Sequence, residues 1–144
     1  MTELEWFAGD QQALNLYHCF VDVAHTWDDL RDKDKPVSNY ELDRAFYVAL
    51  YSIPFNPVFI RYSSQLQPLL LTSIMGYRLA NKYEDNKDEH GLEIAHTMRY
   101  AVAQVFTFLI TMLNGPDKAV TILDEAMKIM VNERITPYIE EHLK

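Results

Sequence analysis

Apolar residues recur at three- and four-residue intervals through nearly the whole chain, and this helical spacing constrains the fold more than any other feature. No segment alternates apolar and polar residues convincingly with the two-residue period of a β-strand. Only four glycines occur in 144 residues, and no run is rich in Gly, Ser or Pro, so we find no linker, repeat or low-complexity segment. We therefore expect an all-α fold, with residues 1–144 forming a single helical domain, a bundle of five to six helices.

Capping residues and prolines divide this pattern into helices. The predicted helices cover residues 10–31, 38–52, 57–83, 89–113, 116–133 and 137–143. Residues 38–41 (Ser-Asn-Tyr-Glu) have the pattern of a capping box, and Asn114-Gly115 is typical of a helix end. Pro68 predicts a kink within its helix. The polar residues 84–88 are predicted to form a loop.

The charge balance excludes some classes of partner. The net charge is -8 and the isoelectric point is near 5.0, whereas nucleic acids and anionic membranes attract basic surfaces. The single cysteine, Cys19, allows no intramolecular disulfide and favours a reducing compartment. The first ten residues do not resemble a signal peptide, and the apolar run 101–113 is too short to span a bilayer. We expect a soluble, cytoplasmic protein with neither a nucleic-acid nor a membrane partner.

The helix of residues 10–31 carries a stripe of potential metal ligands. On a helical wheel of about 100° per residue, the stripe consists of His18, Asp22, His25, Asp29 and Asp32, and Asp28 lies about 80° from its centre. Residues 1–30 contain six acids and no Lys or Arg. The acids also lie near the helix C-terminus, where the helix dipole disfavours anions. The stripe predicts a metal site; a solvated acidic helix face is the alternative.

The ligand types indicate which metal to expect. Aspartate oxygens suit Mg²⁺, Mn²⁺ or Ca²⁺, and imidazole shifts the preference toward Mn²⁺, Fe²⁺ or Zn²⁺. The acidic cluster, which also includes Asp34, favours a hard cation, so Mg²⁺ or Mn²⁺ is expected, with iron as the alternative. The predicted metal ligands are Asp28, Asp29, Asp32, Asp22 and His18.

The helix of residues 89–113 is apolar nearly all round but carries one polar line. Its members are Glu89, Glu93, His96, Tyr100, Gln104, Thr107 and Thr111. Such a line must be hydrogen-bonded inside the core or must line a cavity. For the two threonines we expect hydrogen bonds to carbonyls of their own helix. We predict that Glu93 and His96, with His25, are general bases or second-sphere groups, and that Arg99 binds an anionic product.

The stretch Asp-Asp-Leu-Arg-Asp, residues 28–32, resembles the DDxxD motif of class I isoprenoid (terpenoid) synthases, an all-helical family. The resemblance implies that Asp28, Asp29 and Asp32 hold Mg²⁺ ions that bind a substrate diphosphate. It leaves open a relative that keeps the fold but has lost the reaction.

Three further resemblances compete with this one. Asp22-x-x-His25 and Glu93-x-x-His96 resemble the Glu-x-x-His element of ferritin-like di-iron bundles, which implies iron and further carboxylates such as Asp43 and Glu125. The acidic pairs also resemble, more weakly, the all-α nucleoside triphosphate pyrophosphatases. The phrase HTWDDLRDKDKPV and the later DEH resemble short uncharacterised proteins of bacteria and their phages, a likeness that implies no activity.

These observations lead to one main functional hypothesis and two alternatives. The main hypothesis is a divalent-metal-binding helical protein that binds or processes a phosphate- or diphosphate-bearing small molecule. Its acidic pocket would lie between the helices of residues 10–31 and 89–113. The first alternative is a non-enzymatic helical interaction protein of phage origin that binds a protein partner or dimerises, and the second is a di-iron bundle. Whether the chain is an enzyme stays open.

Five side chains outside these patterns have structural interpretations. Tyr40, Tyr47 and Tyr51 share one side of the second predicted helix, where packing is favoured over a contact surface. Cys19 is expected to be a small core residue, and His142 is expected to be incidental.

Overall fold

A computed structural model describes residues 1–33 and 35–144. Asp34, a member of the predicted acidic cluster, lies outside the described residues. All regular secondary structure in the described part is helical, which confirms the predicted all-α class. No helix found there has the length and apolar character needed to cross a bilayer. The chain divides into two compact units, unit 1 (Met1–Ser63) and unit 2 (Ser64–Lys144); the single domain stays a prediction.

Unit 1 is formed by short helices around one long helix. Its elements are α1 (Glu3–Trp6), α2 (Gln11–Asp32), α3 (Asn39–Tyr47), a π-helical segment (Val48–Ser52), α4 (Ile53–Phe55) and α5 (Pro57–Arg61). The Asp10 carboxylate caps α2 by accepting from the N–H groups of Gln12 at 2.9 Å and Ala13 at 3.1 Å. Ser38 caps α3 in the same way through the N–H of Glu41, at 3.1 Å. Both predicted helix starts are therefore confirmed.

The second predicted helix does not stop at Ser52. Backbone angles stay in the α region at Tyr47, Ser52 and Ile53, so α3, the π-helical segment and α4 form one continuous helical stretch. Pro54 lacks an N–H, and its ring would clash with the carbonyl four residues earlier in a regular α-helix. The wider π turn just before Pro54 removes that conflict.

An aromatic cluster and one buried amide hold unit 1 together. The ring centroid of Tyr17 in α2 lies 5.9 Å from that of Trp6 and 5.8 Å from that of Phe7, and all three side chains are buried. Asn56 precedes α5 and is 7% exposed. Its Nδ2 donates to the carbonyl of Gln12 at 2.9 Å, and its Oδ1 accepts from the N–H groups that open α5. This amide therefore fastens α5 to α2.

Unit 2 contains the remaining helices. They are α6 (Ser63–Asn86), α7 (Glu89–Met98), α8 (Ala103–Asn114), α9 (Pro116–Met130) and α10 (Ile135–Leu143). The predicted helix 57–83 is therefore two helices, α5 and α6, and α6 continues through Pro68. The prediction of a loop at residues 84–88 was wrong for residues 84–86, which are helical.

The predicted continuous helix 89–113 was also wrong, because turns at residues 99–102 separate α7 from α8. The backbone there tightens to three-residue hydrogen bonds, including Ala101 N–H to Met98 O at 3.1 Å. Helix α6 comes close at this point: a Cβ added to Gly76 would lie 2.9 Å from the Met98 carbonyl oxygen. Tertiary packing against α6 and the ion pair of Arg99 with Glu84 favour the break.

The core of unit 2 joins α6, α7 and α10. Ala80, Leu92, Ala95 and Tyr138 form one fully buried cluster. The helices come close because Gly91 has no side chain: a Cβ there would lie 2.3 Å from a ring carbon of Tyr83. Helix α8 packs against α9.

Candidate functional site

The acidic stripe of α2 has basic partners from outside the helix. Asp22 Oδ2 lies 3.3 Å from Arg44 Nη2, and Asp29 Oδ2 lies 3.7 Å from Lys35 Nζ. His18 Nε2 lies 3.1 Å from the Glu3 carboxylate. Residues 35–44 thus supply the positive charge that residues 1–30 lack, and two aspartates of the stripe are compensated without a metal ion.

The remaining predicted ligands of α2 lie along its C-terminal half. His25 and Asp32 are exposed, and Asp28 is half-buried. Within residues 1–33 and 35–144, no three or more His, Cys, Asp or Glu side chains are grouped so that they could hold a metal ion. The Mg²⁺ or Mn²⁺ site and its iron alternative stay predictions.

Unit 1 exposes a surface of large apolar side chains on the stretch from α3 to α4. We call it the aromatic surface; it consists of Tyr40, Phe46, Tyr47, Leu50, Tyr51 and Phe55. Each of these side chains is between 51% and 74% exposed. The opposite side of the same stretch carries Val48 and Ile53, which are buried in unit 1. The helix is therefore apolar on both its inner and its outer side.

Three of these rings form a ladder along the helix. The centroids of Tyr47 and Tyr51 are 5.3 Å apart, and those of Tyr51 and Phe55 are 4.8 Å apart in a stacked arrangement. Side chains four residues apart in an α-helix are rotated slightly relative to each other about the helix axis. The wider π turn reduces that rotation over the three rings, so they stay in line. The expectation that Tyr40, Tyr47 and Tyr51 serve packing was wrong, because these side chains are 74%, 59% and 51% exposed.

Unit 2 contains a buried ion cluster centred on Glu84, near the end of α6. The Glu84 side chain is 8% exposed, and it pairs with Arg99, which is 14% exposed. The Tyr138 hydroxyl donates to Glu84 Oε2 at 2.5 Å. His142 Nε2 lies 3.4 Å from Glu84 Oε1, and its Nδ1 donates to the Tyr138 carbonyl at 2.8 Å. The cluster therefore joins α6, the turn after α7, and α10.

Tyr138 stays neutral in this cluster at ordinary pH. Burial of the hydroxyl, followed by its hydrogen bond to Glu84, raises the pKa of Tyr138 above its usual value. The Arg99 guanidinium lies 5.8 Å from the centre of the Tyr138 ring. Each polar group of the cluster thus faces another member of the cluster, which is the arrangement expected of a structural clamp.

The predicted catalytic residues of α7 contact different partners. Glu93 is 54% exposed and lies 3.3 Å from His90 Nδ1. His96 Nε2 donates to the Glu133 carbonyl at 2.6 Å, and its ring lies 5.4 Å from that of Tyr138. The structure therefore brings His96 and Arg99 to the same tyrosine but does not pair Glu93 with His96.

The two threonines of the predicted polar line make the expected hydrogen bonds to carbonyls of their own helix. Thr107 donates to the Ala103 carbonyl at 3.0 Å and Thr111 donates to the Thr107 carbonyl at 2.7 Å. Gln104 is exposed. The turn at residues 99–102 interrupts the line, so it does not form one continuous stripe.

Sequence reasoning missed three members of the ion cluster. Glu84 was placed in a loop, His142 was considered incidental, and Tyr138 was not singled out. One signal was present: Gly76, Ala80 and Glu84 are spaced at four-residue intervals, and small residues at that spacing permit close helix packing beside a carboxylate. The interpretation of His142 as incidental was wrong, since it contacts both Glu84 and Tyr138.

Comparison of the chain with protein-family models, curated protein sequences and solved structures gives no significant match. The resemblances of residues 28–32 to isoprenoid synthases, of the two Asp/Glu-x-x-His patterns to di-iron bundles, and of the longer phrase to bacterial and phage proteins stay predictions.

Proposed function

We propose that this chain is a non-enzymatic helical protein that binds another protein chain through the aromatic surface of unit 1. The observation that carries the proposal is the exposure of six large apolar side chains on one helical stretch. Aromatic side chains present about 200 Å² each, so six side chains at this exposure offer roughly 700 Å² of apolar surface. Patches of that size on soluble proteins mark interaction sites.

The sequence of the stretch supports the same proposal. Residues 45–60 contain no charged side chain, although a quarter of the chain is charged. Interface cores are depleted of charge and enriched in Tyr, Phe and Trp. Charged substitutions at Phe46 or Leu50 would cost the fold little, because both side chains are exposed. Their apolar character is therefore better explained by binding than by folding.

The surroundings of the acidic stripe favour this reading over the metal hypothesis. The stripe was attributed to a cation because its charges lacked compensation, and Arg44 and Lys35 now provide it for Asp22 and Asp29. We retain the divalent-metal protein acting on a phosphate-bearing small molecule as the alternative proposal. Its candidate residues are those of α2 and of residues 93–99 named above.

We further propose that the protein acts in the cytoplasm. A single cysteine leaves no intramolecular disulfide to stabilise either unit.

Site-specific photo-crosslinking tests the proposed function. A benzophenone amino acid replaces Tyr51 in cells of the organism that encodes the chain, and the matched control carries it at Val120. Val120 is another exposed apolar residue, 69% exposed, on α9 of unit 2. We expect discrete covalent protein adducts from position 51 and none from position 120. If illumination gives no adduct from position 51, or the same adducts from both positions, the proposal fails.

A further inference from the structure

We infer that the chain that covers the aromatic surface is a second copy of this protein, docked as a symmetric antiparallel pair about Tyr51. The inference rests on the proposed function and names its partner. It follows from the charge of the molecule, the symmetry of the ring ladder and the area of the surface.

The distribution of charge favours self-association through the aromatic surface. Two molecules with a net charge of -8 repel each other over most of their surfaces. Residues 45–60, which carry five of the six side chains of the aromatic surface, contain no charged side chain. Like-charged copies therefore approach at this face without the repulsion that other faces impose. A basic partner would instead be drawn to the acidic side chains elsewhere, since residues 45–60 offer none.

The ring ladder is suited to pairing with itself. In a two-fold symmetric interface the same patch is used on both molecules, so each residue meets its counterpart across the axis. Tyr51 is the middle ring of the ladder, with Tyr47 on one side and Phe55 on the other. An axis through Tyr51 places Tyr47 of one copy against Phe55 of the other. Such a pairing sets aromatic rings against aromatic rings.

The available area matches what a specific dimer needs. The aromatic surface offers roughly 700 Å² per copy, by the estimate of about 200 Å² per aromatic side chain. A standard specific interface buries about 800 Å² per partner. Leu50, the most exposed member of the aromatic surface after Tyr40, is the one aliphatic side chain included in this area. The aromatic surface is thus nearly sufficient on its own.

Sedimentation equilibrium of the purified full chain tests the inference, at concentrations up to about 100 µM, where interfaces of this size are occupied. We expect the mass to rise from 16.9 kDa toward twice that value. Tyr51→Lys places two ammonium groups against each other at the axis and should weaken dimerisation by about 30-fold or more. Val120→Lys, the matched control, should leave the association unchanged. Tyr51→Ser provides a second variant without a new charge, and its dimer should also weaken.

A cysteine at the axis tests the geometry. In a Cys19→Ser background, Tyr51→Cys should form a disulfide between two copies under mild oxidation, and Val120→Cys should not. A chain that stays at 16.9 kDa over the whole range overturns the inference, as does a dimer that tolerates both Tyr51 variants. If the purified chain is monomeric while position 51 crosslinks to a different protein in cells, the proposed function stands and this inference alone fails. If neither experiment finds a partner, both fail.

Discussion

Replacing Glu84 with Gln tests whether the buried ion cluster holds α10 against the rest of unit 2. The Glu84 carboxylate accepts hydrogen bonds from Arg99 and Tyr138, and His142 lies 3.4 Å from its other oxygen. Gln has nearly the same shape as Glu but no charge. The substitution therefore removes the electrostatic part of the cluster and leaves its packing in place.

The burial of both partners sets the expected magnitude. Arg99 is only 14% exposed, so water cannot fully solvate its charge once Glu84 is neutral. Removing one partner of a buried ion pair costs about 3–5 kcal/mol. The Gln carbonyl still accepts one hydrogen bond, so we expect a loss of about 3 kcal/mol in the free energy of unfolding. For a chain of this length that corresponds to a midpoint lower by roughly 10 °C.

The assay combines denaturant unfolding, followed by far-ultraviolet circular dichroism, with amide hydrogen exchange read by mass spectrometry. Exchange localises the effect: protection should fall in α10 and at the C-terminal end of α6. Glu93→Gln is the matched control, because Glu93 is a 54% exposed glutamate of the same unit and should change the free energy by less than about 0.5 kcal/mol. If Glu84→Gln and Glu93→Gln have equal stability and equal rates of amide hydrogen exchange, the ion cluster does not hold α10.

Three further predictions follow from other parts of the structure. The free energy of unfolding should fall above about pH 10, because the raised pKa of Tyr138 makes the folded chain hold its phenolic proton more tightly than the unfolded chain. In Tyr138→Phe this alkaline loss should be smaller in a pH series of urea titrations, and an unchanged profile would count against the cluster. Asn56→Ala removes the cap of α5 and the bond to Gln12 and should cost about 2–3 kcal/mol in the same titrations; a cost below about 1 kcal/mol would contradict the role assigned to this amide. Thermal unfolding of the EDTA-treated protein should not shift with Mg²⁺, Mn²⁺ or Fe²⁺, with or without pyrophosphate; a rise that disappears in Asp29→Asn would revive the metal hypothesis.

Local sequence signals were sufficient for the fold class and for the starts of most predicted helices. Asp10 and Ser38 are capping residues whose preference is encoded within three neighbouring positions, and both lie where the pattern placed them. The break at residues 99–102 has no such local signal. It depends on the approach of α6 at Gly76 and on an ion pair between residues fifteen positions apart, and a helical period alone cannot contain that information.

The candidate site could be predicted only in part for the same reason. The stripe on α2 was identified correctly as acidic. Its basic partners Arg44 and Lys35 lie outside α2, so the periodicity of that helix could not indicate them. Tyr47 and Tyr51 share one side of their helical stretch, as predicted, yet periodicity does not tell which side of a helix is covered when both sides are apolar. Val48 and Ile53 occupy the buried side, and the ring ladder is left outside.

The free energy of unfolding of Tyr47→Ser/Tyr51→Ser/Phe55→Ser tests most directly whether the aromatic surface is a binding surface and not part of the folded core. It should be measured at high dilution, where copies do not associate, so that only folding contributes. Because all three side chains are more than half exposed, we expect a loss of no more than about 3 kcal/mol, most of it from the two ring-to-ring contacts at about 0.5–1.5 kcal/mol each. A loss of more than about 6 kcal/mol, approaching the combined cost of removing three buried aromatic side chains at about 3–5 kcal/mol each, would show that these rings serve the fold and would contradict the proposed function.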